Sequence, residues 1–185
     1  MSEPFLEPIL RWFRLRKVTS QIPHGARLLD VGCGRSARFL KTVESQISYG
    51  VGIDFKVVPL RTAKLETIQT HLDQQLPFAD SSFDVVTMLA VLEHIEHEKS
   101  ILSEIRRVLR QDGKLVLTVP SVWAQPVLEF LSFKLKIVDE MEIKDHKRYY
   151  NRKILRQVLV DEIGFRNFQH HYFQLWMNNF CSVVK

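Results

Sequence analysis

The stretch Leu28-Leu29-Asp30-Val31-Gly32-Cys33-Gly34 constrains this chain most. An apolar run ends in an acid and then turns through two glycines spaced by one residue. Twenty positions past Gly34, a second run, Tyr49-Gly50-Val51-Gly52-Ile53, ends in Asp54. Short apolar runs bounded by glycine and acid read as strands buried on both faces. Glycines without a Cβ let the backbone bend sharply and approach a ligand. A strand, a glycine turn, a helix and a second strand ending in a carboxylate form half of a nucleoside-binding site, with the acid placed for a ribose.

The rest of the chain fits a single domain over residues 1–185. A length of 185 residues with 45% hydrophobic and 25% charged content is enough for one sizeable core. No apolar run approaches the ~20 residues that span a bilayer. Met1-Ser2-Glu3-Pro4 lacks the basic and apolar blocks of a signal peptide. Cys33 and Cys181 are far apart and outside any metal-ligand spacing. The expectation is a reduced, cytoplasmic protein without a metal site. A net charge of +5, from 26 basic and 21 acidic residues, is compatible with an anionic partner and demands none.

Along the chain, residues 5–17 read as a short helix with a basic face (Arg11, Arg14, Arg16, Lys17), part of an N-terminal helical extension over residues 1–20. Packing over the domain edge is its plainer role, and weak contact with a membrane surface is the other. Arg27–Val31 and Ser48–Ile53 are strands, with a helix over Arg35–Ser45 between them. Pro59–Thr70 reads as helix. Phe83–Leu89 is an apolar strand broken only by Asp84 and Thr87. Glu98–Arg110 is an amphipathic helix with Ile101, Leu102, Ile105, Val108 and Leu109 on one face, ended by Asp112-Gly113. Lys114–Val119 is a strand stopped by Pro120. Trp123–Ile137 reads as helix, Asp139–Asp145 as loop, and Arg152–Ile163 as a helix ended by Gly164. Phe165–Phe173 and Asn178–Val184 read as closing strands. The alternation predicts an α/β fold with a doubly wound sheet.

The turn Gly32-Cys33-Gly34-Arg35-Ser36-Ala37 also satisfies the looser dinucleotide pattern G-x-G-x-x-A. Asp30 argues against that use, because an acid two residues before the first glycine repels a pyrophosphate. The same acid suits a ligand with an amine or sulfonium cation.

At this point the chain resembles a class I S-adenosylmethionine-dependent methyltransferase of the small-molecule methyltransferase-domain type. The matching residues are Leu28–Gly34, Gly52-Ile53-Asp54, Leu76-Pro77-Phe78 with Ser82-Phe83-Asp84, Leu92-Glu93-His94-Ile95, Glu104–Leu109 and Asp112–Leu115, with Gly164-Phe165 after a helix. They cover roughly residues 26–185, and their order and spacing carry more than any one motif. The resemblance implies a Rossmann-like doubly wound sheet of seven strands, mostly parallel with an antiparallel last strand. It implies S-adenosylmethionine as cofactor. Asp30, Gly32 and Gly34 would line the methionine part, Asp54 would accept from both ribose hydroxyls, Leu72 and Asp73 would meet the adenine, and Leu89 would offer backbone near the amine. Ser36 stands where a third glycine is common in the family, and His71 where an aspartate is common in one variant.

Methyl transfer from a sulfonium asks mainly for orientation, and for a base if the acceptor is a hydroxyl or an amine. Glu93, His94, His97, His146, Tyr149 and Tyr150 are the titratable residues placed for that, and His146 and His94 are the catalytic candidates. For both, a structural role stays open. Residues 121–150 fall where the family places substrate-side insertions, and Trp123, Val127, Leu128, Phe130, Leu131 and Phe133 read either as core packing or as an apolar wall for a lipid-like acceptor. A small or lipid-like acceptor is favoured over nucleic acid, because strongly basic tracts and base-stacking motifs are missing. Two rivals stand beside the methyltransferase reading: a non-catalytic cofactor-binding subunit of a partner enzyme, and a nicotinamide-dependent oxidoreductase.

Overall fold

The computed structural model describes residues 7–72, 75–124 and 147–185. Helix α1 (Glu7–Thr19) leads into strand β1 (Arg27–Val31), helix α2 (Arg38–Val43) and strand β2 (Tyr49–Asp54). Strands β3 (Leu60–Arg61), β4 (Leu65–Gln69) and β5 (Phe83–Leu89) follow, then a tight helical turn over Leu92–His94, helix α3 (Glu98–Val108) and strand β6 (Leu109–Pro120). Helix α4 (Arg152–Arg156) runs on into a wider π-helical turn over Gln157–Glu162, and β7 (Arg166–Phe173) and β8 (Asn178–Val184) close the chain.

The strands form one sheet in the order β3-β4-β2-β1-β5-β6-β8-β7. β4, β2, β1, β5 and β6 are parallel; β3, β8 and β7 join antiparallel to their neighbours. The sheet therefore has eight strands where seven were expected, and the mostly parallel arrangement with an antiparallel C-terminal edge is as expected.

The central strands are buried on both faces because both faces are covered. Leu29, Val31, Val86, Met88, Leu115 and Leu117 join α3 and α4 on one side. Leu28, Val85 and Val116 join α1 and α2 on the other. α3 contributes Ile101, Leu102, Ile105 and Val108, all fully buried, each worth about 1.5–3 kcal/mol. Its outer side also anchors the loop before β5. Glu104 accepts the Leu76 amide at 2.9 Å, and the Arg107 guanidinium donates to the Phe78 carbonyl and the Asp80 carboxylate at 2.8 and 2.7 Å. Their mutual ion pair holds the Glu104 carboxyl below its usual range.

Three stretches differ from the sequence reading. The helix expected over Arg35–Ser45 is confined to Arg38–Val43, because the glycine turn runs on through Ala37, whose φ of 48° is left-handed. Pro59–Thr70 is not a helix but holds β3 and β4. Leu65 and Thr67 point inward and alternate with Glu66 and Ile68, and parallel pairing with β2 over Gly50–Asp54 outweighs the helix-forming Lys64-Leu65-Glu66. α3 ends at Val108 rather than Arg110, because the chain is drawn at once into β6. The pairing with β5 jumps from Phe83–Leu109 to Val85–Lys114, and Asp112 takes a left-handed φ of 60° inside that bulge. The expected helix over 123–137 from Gln125 onward, the loop over 139–145, Asp73 and His146 lie outside the described residues.

Candidate functional site

β1 is flanked by β2 on one side and β5 on the other, so the chain reverses its winding direction at β1. The crevice beyond the carboxyl ends of such strands is where open α/β sheets bind ligands. The ends of β1, β2 and β5 bring Asp30, Gly32, Gly34, Asp54 and Leu89 to this one place.

The glycine turn is fastened to β2 by backbone. Gly32 and Cys33 amides both donate to the Ile53 carbonyl, at 2.8 and 3.1 Å. Gly32 has a φ of 75° and lies against Val91; a Cβ there would stand 2.3 Å from Val91 Cγ2. Gly34 also has a positive φ, 68°, but a Cβ there would meet nothing within 4 Å. The first glycine is therefore required by packing. The second leaves open space beside the crevice.

Asp54 is buried, and its two oxygens order the site. Oδ2 accepts the Gly34 amide at 2.9 Å and Oδ1 accepts the Lys56 amide at 2.8 Å. A carboxylate oxygen has more than one acceptor position, so each can still accept a hydroxyl. Beside it, Phe55 is half exposed and stacks on His71, with ring centroids 5.9 Å apart and planes at 19°. Leu72, next along the chain, is half-buried.

Asp30 is buried on the neighbouring strand and accepts the Thr87 hydroxyl at 2.7 Å. Burial pushes its carboxyl up to about 7; the Thr87 hydrogen bond opposes that shift and the nearby Asp54 charge adds to it. Burial, helped by the two carboxylates, also raises the Cys33 thiol well above its ordinary value. The site is thus a buried acidic pair without a cation of its own among the described residues.

Past β5, Leu89 is half-buried at the strand mouth, and Ala90 donates to the Thr118 carbonyl at 2.8 Å. His94 is half-buried in the turn that follows, and its amide donates to Val91. The segment after 146 is strapped to this turn: Lys147 donates to the Glu93 carbonyl at 2.9 Å, and Arg148 to the carbonyls of Ile95 and Glu96 at 2.9 and 3.2 Å. Tyr150 is fully buried, donates to Glu98 at 2.5 Å, and has its phenol pushed up by burial and by that carboxylate. Its hydroxyl is thus engaged as a donor to Glu98. His97 is exposed at the start of α3. A cavity of about 450 Å³ opens there between Glu96, His97, Glu98, Lys99, Ser100 and Arg148. None of those residues belongs to the glycine turn or to β2, so the cavity is not the crevice. Of the expected apolar wall only Trp123 is described, and it is exposed.

Three contributors were not read from the sequence. Thr87 was visible as a polar residue in an apolar strand, but its partner was not. Val91 and the Phe55–His71 stack arise from tertiary packing and leave no local signal. Among the described residues no cluster of histidine, cysteine and acids could hold a metal ion, and no helix is long and apolar enough to cross a membrane.

Residues 29–117 match a family model described as a methyltransferase domain. The ubiquinone/menaquinone biosynthesis C-methyltransferase UbiE of Xylella fastidiosa is 33% identical over 141 residues, covering 67% of this chain and 55% of that protein. A demethylmenaquinone methyltransferase of Staphylococcus epidermidis is 32% identical over 152 residues, covering 75% and 63%. The chain thus spans between about half and two thirds of these relatives. Among solved structures, a chain of the Haloferax volcanii complex between the Trm112 methyltransferase activator and a methyltransferase superposes with a TM-score of 0.76 at 16% identity, covering 94% of this chain and 90% of that one. An S-adenosylmethionine-dependent methyltransferase from Mesorhizobium loti gives 0.70 at 17% identity, covering 95% and 97%.

Proposed function

We propose, from a chain that carries a methyltransferase domain over residues 29–117 on the class I methyltransferase fold, that this protein transfers a methyl group from S-adenosylmethionine to a small, lipid-like acceptor. The observation that carries the reading is Asp54: a buried carboxylate that fixes the glycine turn through Gly34 and still has acceptor positions for a ribose diol. S-adenosylmethionine, when bound, supplies a methyl group already activated on a sulfonium.

The chain's own residues bind and orient. Asp54 takes the two ribose hydroxyls. Gly32 and Gly34 line the methionine part, with open space at Gly34 for close approach. Asp30 faces the cationic amine, and as a pair with Asp54 it repels a pyrophosphate, which disfavours a nicotinamide dinucleotide. Leu89 offers backbone near the same amine. Leu72 and Asp73 meet the adenine, and the exposed Phe55–His71 stack offers an aromatic flank beside Asp54. His94 and His146 are the residues assigned to hold or move a proton at the acceptor.

The acceptor class rests on the relatives, which are named for quinone methylation, and a demethylated quinone with a short side chain is the first to try. We assign residues 1–185 to one domain, with 1–20 as a helical extension and 121–150 on the acceptor side, working in the cytoplasm. Weak membrane-surface contact through α1 is supported by the exposed Trp12 and Phe13 and by Arg16, whose guanidinium lies 5.4 Å from the Trp12 ring centre. The test is methyl transfer from labelled S-adenosylmethionine to demethylated quinones and to a panel of phenols and amines. Turnover with the quinones supports the proposal. Tight cofactor binding with no turnover on any acceptor would instead favour a non-catalytic subunit.

A further inference from the structure

The same end of the sheet carries a second surface that the donor site does not use. The hairpin between β7 and β8 turns through Gln174, Leu175 and Trp176, with φ of 52°, 55° and 64°. Three consecutive left-handed residues, none of them glycine, cost about 1–2 kcal/mol each. The strained turn holds two large apolar side chains out of the protein: Leu175 is 87% exposed and Trp176 65%. Backbone strain of this kind persists where surrounding structure enforces it, and it clusters at functional surfaces.

Here the enforcing structure is the end of β6. The Ser121 amide donates to the Met177 carbonyl at 2.9 Å, and its hydroxyl donates to the Trp176 carbonyl at 2.5 Å. The same hydroxyl accepts the Trp123 amide at 3.2 Å. Ser121 thereby ties the hairpin tip to Trp123, itself 65% exposed. Tyr150 bridges to Ser121, so the first turn of α4 begins at this end too. It adds Ile154, 37% exposed, and the exposed cations Arg152 and Lys153. Neither cation is in a salt bridge among the described residues. In the sequence no acid lies between Asp145 and Asp161, and none follows Glu162.

We propose that the hairpin tip, Trp123 and the first turn of α4 dock the protein on an anionic bilayer surface. Tryptophan and leucine enter the headgroup boundary while Arg152 and Lys153 meet lipid phosphates. This deepens the lipid-like-acceptor reading and rests on it: the docking face lies at the carboxyl end of β6, on the sheet end that carries the donor crevice. A membrane-embedded acceptor reaches that end without crossing water.

The test is binding of the full chain to phosphatidylcholine vesicles and to equimolar phosphatidylcholine–phosphatidylglycerol vesicles. The expected result is preference for the anionic vesicles, lost at high salt. Leu175→Ser/Trp176→Ser and Arg152→Glu/Lys153→Glu are each expected to weaken that binding by about tenfold or more. Affinity for S-adenosylhomocysteine and turnover of a short-chain soluble acceptor should not change. The charge pair leaves the hairpin intact, so a folding defect in the tip variant does not remove the test. Absence of vesicle binding, wild-type binding by both variants, or loss of binding only with Trp12→Ser/Phe13→Ser overturns the proposal. A wild-type dimer dissociated by the tip variant, without vesicle binding, also overturns it and makes the patch a protein interface. Vesicle binding with no turnover of any acceptor, soluble or vesicle-embedded, would break the methyl-transfer reading instead, so the two failures are distinguishable.

Discussion

The two halves of the crevice end of this sheet are built on opposite principles. At β1 and β2 the polar groups are buried and paired: Asp54 with the amides of Gly34 and Lys56, Asp30 with Thr87, the Ile53 carbonyl with two turn amides. At β6 and β8 large apolar groups stand in solvent on a left-handed turn. The first half is pre-organised for a polar ligand of fixed shape, whose recognition depends on donors and acceptors held in place. The second spends backbone strain to display apolar surface, which gains only when something covers it.

The largest effects are expected at the two glycines of the turn. Gly32→Ala forces a Cβ into Val91 and a left-handed φ on alanine, and should cost about 3 kcal/mol or more in chemical denaturation. Adding Val91→Ala should recover the packing part and leave the φ part. Gly34→Ala, with the same sign of φ and open space, should cost about 1–2 kcal/mol. Equal losses at the two glycines would show that the turn is not packed as described.

Next in size is Asp54→Ala. It removes the acceptor of two amides and should weaken S-adenosylhomocysteine binding about tenfold or more in a calorimetric titration. Unchanged affinity would separate the buried carboxylate from ligand recognition.

Asp30 gives a pH signature. Its folded carboxyl holds a proton up to about 7, against an ordinary value of 3.8. The folded state therefore binds more protons than the unfolded chain between those values, and stability should fall as pH rises through that window. Asp30→Asn should match the wild type near pH 4 and melt about 3 °C or more higher at pH 8. A cationic ligand reverses the preference, so its affinity should rise through about pH 7, with proton release on binding below it. The Asn variant should lose both effects. A wild-type melting curve flat over this range would contradict an acid buried without a cation beside it.

The smallest effect belongs to the other half. Leu175→Asn relieves a left-handed leucine at a position asparagine tolerates, and should stabilise by about 0.5–1 kcal/mol while removing apolar surface. Destabilisation would mean that Leu175 is already covered.

How much of this the sequence shows follows from the range of the interactions. β1, the glycine turn, β2 and Asp54 are legible because apolar run, glycine and acid are neighbours in the chain. β4 was misread because five residues carry too short an alternation to outweigh Lys64-Leu65-Glu66, and its partner strand decides its state. The Asp30–Thr87 bond spans 57 positions, and no local pattern encodes it. The strand limits Phe173 and Asn178 agree with the sequence reading, but Gln174-Leu175-Trp176 contains no glycine, proline or asparagine, so the left-handed form of the turn between them has no local signal. The sheet topology brings Asp30, Gly32, Gly34, Asp54 and Leu89 to one end of the sheet, and their roles are what the experiments above test.

The most direct measurement is a crystal structure of the protein soaked with S-adenosylhomocysteine. The ligand is expected beyond β1 and β2, with both ribose hydroxyls on the Asp54 carboxylate and the adenine beside Phe55 and Leu72. A ligand bound elsewhere, or an occupied crevice with Asp54 still bonded only to Gly34 and Lys56, would contradict it.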